Sequence, residues 1–282
     1  MSETVDNKAA TVLGTIGTVL WCIQLIPQII VNYRKKNCEG LPPLMMFLWA
    51  ASGVPFGVYF IVKKSNLPVQ VQPHIFMLFA TITWVQCLYY PPVQWARKRL
   101  IIIVSAVCIL FASIEIALVF PLRIVYNNGT EWPTTFIGAI AAVLLAVGLI
   151  PPYFEIKQHH GEVVGINFFF LAMDSGGAIF SIFSLIAQGG KMDIMGIVLY
   201  IIVVSMELGI FGCQIVWVLT HRDVIKERKR LKALEKEAQL KTEETALGED
   251  EKGVLESNAT QKKDETVETT IENRPTNSSS EA

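Results

Sequence analysis

The feature that most constrains this chain is the length of its charge-free runs. Residues 9–33, 40–62, 65–96 and 132–154 contain no Asp, Glu, Lys or Arg. Three more stretches, 100–122, 163–190 and 194–221, are each interrupted by one acid: Glu115, Asp174 and Glu207. As a helix, about 20 apolar residues cross roughly 30 Å of hydrocarbon, so the pattern predicts seven membrane spans. A transmembrane barrel would instead show alternating segments of about 10 residues. The charge sits elsewhere: 27 of the last 62 positions are charged, against 12 basic and 10 acidic residues in the first 220. The chain therefore reads as an all-α integral membrane body with a polar tail from residue 221. The first apolar run is too long for the core of a cleaved signal peptide, which spans about 7–15 residues. Five cysteines (22, 38, 87, 108 and 213) cannot all pair, and they read as buried thiols.

Flanking charge sets an orientation by the positive-inside rule. One side carries Arg34, Lys35, Lys36, Arg97, Lys98, Arg99, Lys157 and the six basic residues of 222–232, thirteen in all. The other carries Lys8, Lys63, Lys64, Arg123 and Lys191, five in all. The expected topology has a lumenal N-terminus and a cytosolic C-terminus. Asn128-Gly129-Thr130 then falls in a lumenal loop as a glycosylation acceptor. The tail carries two more such patterns, at Asn258 and Asn277, on the side read as cytosolic. Its start, Asp223–Lys241, has helix-forming composition, and its basic beginning suits an anionic cytosolic leaflet. Beyond about residue 242 it has too few apolar residues to fold and reads as disordered.

The spans repeat. Leu25-Ile26-Pro27-Gln28 faces Leu149-Ile150-Pro151-Pro152, Glu39-Gly40-Leu41 faces Val164-Gly165-Ile166, and Ser52-Gly53 faces Ser175-Gly176. The offsets are 124, 125 and 123, in the same order along the chain. Units that begin four spans apart share an orientation, a standard transporter design. The expected organisation is a lumenal N-terminal tail (1–8), a three-helix repeat (9–90), a linking fourth helix and lumenal loop (91–134), a second three-helix repeat (135–220) and the cytosolic tail (221–282). A proline inside a span frees a carbonyl that must be satisfied within the protein. Pro27, Pro151 and Pro152 are therefore candidate hinge or pathway residues, with Gln28 beside the first.

Pro27-Gln28, the basic run Tyr33-Arg34-Lys35-Lys36, Glu39-Gly40-Leu41 and the Leu/Met/Phe-rich span that follows resemble the PQ-loop repeat family. That family includes cystinosin, lysosomal and vacuolar cationic amino-acid transporters and, more distantly, the SWEET sugar carriers. Met173-Asp174-Ser175-Gly176-Gly177 is similar to the acid-then-Gly-Gly stretch in the second repeat of cystinosin-like members. The resemblance covers residues 10–220 and implies a vacuolar or lysosomal carrier of small polar solutes. The sequence departs from the family pattern at Pro152, where a Gln is usual, and at Ala51, where basic amino-acid transporters tend to carry an acid.

An ionised acid at the bilayer centre costs about 2.5–3.5 kcal/mol on insertion scales, so the intramembrane acids demand a reason. Asp174 lies near mid-span, followed by small residues that admit a neighbouring helix or water. It is the first candidate for proton coupling, as the resemblance also implies. Glu207, with Gln214 two turns on, is the second. Glu115, in the linking span, reads as a structural acid turned to the lumen. Gln24, Gln28, Gln86 and Asn167 must find partners inside the bundle, and any of them could line a pathway. His159, His160 and Glu162 lack a third ligand at a recognisable spacing and read as a solvated loop rather than a metal site. No nucleophile motif, phosphate loop or zinc signature suggests an enzyme, a cofactor or a resident metal, and a net charge of −1 gives no reason to expect nucleic acid. The expected partners are the lipid bilayer, a small polar solute, a proton and cytosolic proteins that meet the tail. The favoured reading is proton-coupled export of an amino acid or similar solute. The alternatives are a seven-helix receptor or sensor, or a lipid-handling protein; the internal repeat argues against a receptor, which needs no such symmetry.

Overall fold

The computed structural model describes residues 8–65, 67–188 and 194–228, together with 230, 231, 233, 234, 237 and 238. Within residues 8–220 the described secondary structure is helical throughout: α1 (Lys8–Ile23), α2 (Leu25–Lys35), α3 (Pro43–Val62), α4 (Leu67–Tyr89), α5 (Arg97–Asn127), α6 (Trp132–Gly148), α7 (Ile150–Gln158), α8 (Phe168–Gln188) and α9 (Ile194–Thr220). They make seven stretches long and apolar enough to cross a membrane, because α1 with α2, and α6 with α7, each form one span. These agree with the seven charge-poor runs to within a few residues at most ends.

The two broken spans have a common cause. A proline cannot donate to the carbonyl four residues back and collides with it. For Pro27 that carbonyl belongs to Ile23, and for Pro152 to Gly148; these are the last residues of α1 and α6. Each break is a single residue, Gln24 and Leu149. The breaks thus recur 125 residues apart, as do the left-handed glycines Gly40 (φ 78°) and Gly165 (φ 80°). Where the sequence pairs Pro27 with Pro151 at 124, the helix geometry pairs it with Pro152. Proline also opens α3, α6 and α7, at or beside their first residues, where a missing N–H costs nothing.

Packing crosses between the halves. The α1 helix lies along α8, and α6 along α3, as their most extensive contacts. Each crossing is fixed by a tryptophan against a glycine. The Trp49 indole donates to the Leu145 carbonyl (3.1 Å) and lies against Gly148. The Trp21 indole donates to the Asp174 carbonyl (3.2 Å) and lies against Gly177. A Cβ at either glycine would collide with the ring. Gly53 and Gly57 likewise let α3 approach Met77 and His74 of α4. By contrast α5 is nearly bare, with Ile101, Ile102, Ile109 and Phe120 exposed to the surroundings. Cys108 shares that exposure, which corrects its reading as a buried thiol: the linking helix offers lipid most of its circumference. Cys38 and Cys87 are buried, and Cys22 and Cys213 are half-buried.

Residues 221–282 form a separate unit. Residues 222–228 are helical, with Lys226 Nζ 3.9 Å from Asp223. The disorder expected beyond residue 242, and the acceptor patterns at Asn258 and Asn277, lie outside the described residues, as do residues 1–7.

Candidate functional site

A cavity of about 80 Å³ opens between α1, α3, α4, α8 and α9, room for several waters. Its walls are aromatic (Trp21, Phe56, Phe60, Phe76, Tyr200) and its polar groups few: Gln24, Gln72 and Asp174. Gln24 reaches it because the helix break puts this residue between α1 and α2. Asp174 reaches it because the Trp21–Gly177 contact draws α8 against α1.

Behind Asp174 stands Glu207 of α9. Both are buried, and the Asp174 carboxyl has the side chains of Glu207 and Gln24 as neighbours. Ser175 donates its hydroxyl to Glu207 Oε2 at 2.5 Å. Neither acid has an ion-pair partner among the described residues. Glu207 Oε1 and Gln24 Oε1 are buried and receive no hydrogen bond there. Buried polar atoms are nearly always partnered, so two orphan acceptors around one carboxyl mark a place where a proton, a water or a solute donor fits. Gln214, two turns beyond Glu207, does other work: its Oε1 accepts from the Val163 N–H at 2.9 Å.

One turn beyond Gln24 the chemistry reverses. Gln28 donates to Asn32 Oδ1 (2.7 Å) and to the Gly165 carbonyl (2.9 Å), and accepts from the Asn167 N–H (2.7 Å). Asn32 donates to Gln86 Oε1 (3.1 Å), and Gln86 to the Ile29 carbonyl (3.1 Å). This partnered seam ties α2 to α4 and to the segment before α8. Beside it Gly40 and Gly165 press backbone to backbone, where a Cβ on either would run into the other loop. The arrangement is an aromatic cavity with one orphan acceptor, on Gln24, in its wall and another, on Glu207, behind it, next to a polar seam whose side chains are paired. Tyr153, which follows Pro152 as Gln28 follows Pro27, bonds instead to the Met206 carbonyl of α9.

Glu115 departs from expectation. It is turned into the bundle, with Oε1 2.6 Å from His74 Nε2. His74 Nδ1 lies 2.8 Å from the Gln70 carbonyl, which can only accept, so Nδ1 carries a proton. Counting only Asp, Glu, Lys and Arg hid His74; a count that included histidine would have flagged it as the one histidine in its run. Asn32 was also passed over, although it continues the four-residue spacing of Gln24 and Gln28. Among the remaining sequence-level candidates, Pro27 and Pro151 are half-buried and Pro152 is buried. Asn128 is exposed at the end of α5. His159 Nε2 lies 3.8 Å from Glu155.

Seven apolar spans, two of them broken ahead of proline and two acids buried between helices, define a multi-pass membrane protein. The chain belongs to the PQ-loop repeat family, whose repeat model matches residues 9–69, that is α1, α2, α3 and the turn into α4. It is 53% identical over 222 residues to the uncharacterized membrane protein YDR090C of Saccharomyces cerevisiae, covering 79% of this chain and 71% of that one. It is 36% identical over 206 residues to the uncharacterized protein C2E12.03c of Schizosaccharomyces pombe, covering 73% of this chain and 71% of that one. A shorter match, 30% over 78 residues, links it to the vacuolar histidine transporter YPQ3 of Saccharomyces cerevisiae, covering 27% of this chain and 26% of the transporter.

Proposed function

We propose that this protein is a proton-coupled carrier that moves an amino acid or similar small polar solute out of a vacuole- or lysosome-like compartment. The observation that carries the reading is the buried Asp174–Glu207 pair, unpaired with any cation among the described residues, with Asp174 lining a cavity and orphan acceptors on Gln24 and Glu207 around it. Two full negative charges side by side in a low-dielectric interior are unfavourable, so the pair holds a proton and exchanges it as the cavity changes exposure. A carboxyl amid aromatic rings also suits an ammonium group, by charge and by cation–π attraction. A vacuolar histidine transporter among the relatives supports the same class of solute and membrane.

In this reading residues 9–90 and 135–220 are parallel repeats, which the constant offset of 125 for breaks and glycines supports. Pro27, Pro151 and Pro152 mark the hinges. Gln28, in the seam, closes one end of the pathway while the cavity at Asp174 waits at the other.

The test is transport by the purified protein in sealed vesicles. Amino acids and sugars are screened with and without an inside-acid gradient, the C-terminal face being outward. The expected result is efflux of an amino acid that accelerates with inside acidity and acidifies the outer medium. Sugar flux indifferent to pH, or no flux for any solute, would overturn the proposal.

A further inference from the structure

Where α2 ends and α5 begins, one cation lines an open cleft and two more lie against its aromatic walls. Lys36 lines it with Tyr89, Tyr90 and Trp95. Its Nζ lies 3.3 Å over the Tyr33 ring and 3.5 Å from the Tyr90 hydroxyl. Arg97 donates to the Tyr89 hydroxyl at 3.1 Å, and the Arg99 guanidinium lies 4.2 Å over the Trp95 ring. None of the three is in a salt bridge with a carboxylate among the described residues. The acid of the neighbouring loop, Glu39, has its carboxylate 3.5 Å from the Asn37 amide. The frame is fixed by backbone bonds. The Cys38 N–H donates to the Pro91 carbonyl (2.9 Å), joining the two loops, and the Trp95 N–H folds back onto the Leu88 carbonyl (2.8 Å).

Exposed cations without anions ordinarily spread into solvent. Here aromatic rings hold them around one opening, an arrangement poised to receive negative charge. The cleft lies at a span boundary, at the level where Tyr and Trp meet lipid headgroups. One turn into α5 from Arg97, Ile101 and Ile102 are two-thirds exposed and apolar, a surface for acyl chains running on from the cleft. We infer that the Lys36–Arg97–Arg99 cleft is a binding site for the phosphorylated headgroup of an anionic membrane lipid. The apolar face of α5 favours a lipid over a free phosphate compound. The inference does not depend on the transport reading, since none of these residues borders the Asp174 cavity.

The test uses the purified full chain in detergent. Affinity is measured for short-chain phosphatidylinositol bisphosphate, phosphatidylserine and phosphatidylcholine, and for soluble inositol trisphosphate. Two triple variants are compared: Lys36→Ala/Arg97→Ala/Arg99→Ala, and the charge-matched Arg34→Ala/Lys35→Ala/Lys98→Ala, which spares the cleft. The expected result is that the bisphosphate lipid binds best and that the cleft variant weakens it by at least about tenfold, the control by less than about threefold. Lys36→Gln alone should weaken it in the same direction, so the outcome does not hang on a triple variant. Equal losses in both triples mean diffuse surface attraction and sink the site. The soluble headgroup binding as tightly as the lipid removes the lipid from the inference, and no preference over phosphatidylcholine overturns it entirely.

Discussion

At the scale of residues, the two acids on α8 and α9 share one environment but have different partners. Asp174 borders the cavity with Gln24, while Glu207 lies behind it and is held by Ser175. If the pair carries the coupling proton, Asp174→Asn keeps size and hydrogen-bonding capacity but fixes a neutral state at the cavity. Gradient-driven flux should fall more than about tenfold, a barrier change above about 1.4 kcal/mol, while solute exchange across equal pH survives. Asp174→Glu should keep partial coupling with a shifted pH optimum. An Asp174→Asn protein that is monodisperse and keeps the wild-type pH dependence would move the role to Glu207, tested as Glu207→Gln. Both acids were legible in the sequence because each is a lone charge in an apolar run, where its cost is plain. Their adjacency was not, since it depends on how α8 and α9 pack. Glu115 shows the limit of that logic: as a lone acid it looked lumen-facing, but its partner His74 is 41 residues away in sequence on another helix.

At the scale of elements, the proline rule explains both the successes and the slip. The breaks in the first and fifth spans were legible because a proline always disables the carbonyl four residues back. Their register was not, because Pro151 and Pro152 are adjacent and the Leu-Ile-Pro match falls on the first. The α6 helix stops at Gly148, four residues before Pro152, as α1 stops at Ile23 before Pro27. The same register sets Tyr153 where the first unit has Gln28, so the second unit meets α9 through a hydroxyl rather than an amide. The two breaks should therefore answer to Pro27 and Pro152 more than to Pro151. Alanine at Pro27 or Pro152 is expected to let the helix run on and slow turnover at least about fivefold, roughly 1 kcal/mol in barrier, with thermal stability near wild type. Pro151→Ala, at the helix-start position where proline is tolerated, should cost less. Equal turnover in all three variants and wild type would return these prolines to ordinary kinks.

At the scale of the whole molecule, sidedness decides what every other feature is for. The Gln28 seam and the cationic cleft lie among the ends of α2, α4 and α7 and the starts of α3, α5 and α8; the α5–α6 turn with Asn128 lies across the bundle. The thirteen-to-five bias in flanking Lys and Arg predicts a cytosolic first end. The same rule predicts a lumenal α5–α6 turn, and α5 is long enough to deliver it there. Its 31 residues span about 46 Å at 1.5 Å per residue, well beyond roughly 30 Å of hydrocarbon. Asn128 is exposed at the helix end, with Gly129 turning the chain (φ 88°), and is expected to stand clear of the bilayer. Expressed in a eukaryotic cell, the chain should carry a glycan at Asn128, seen as a mobility shift that a glycosidase or Asn128→Gln abolishes. Asn258→Gln and Asn277→Gln should leave the shift unchanged. In sealed organelles, protease added from the cytosolic side should remove a C-terminal tag and spare an N-terminal one. A glycan at Asn258 or Asn277, together with a protected C-terminal tag, would invert the molecule. The seam would then face the lumen, and proton-driven export would become import.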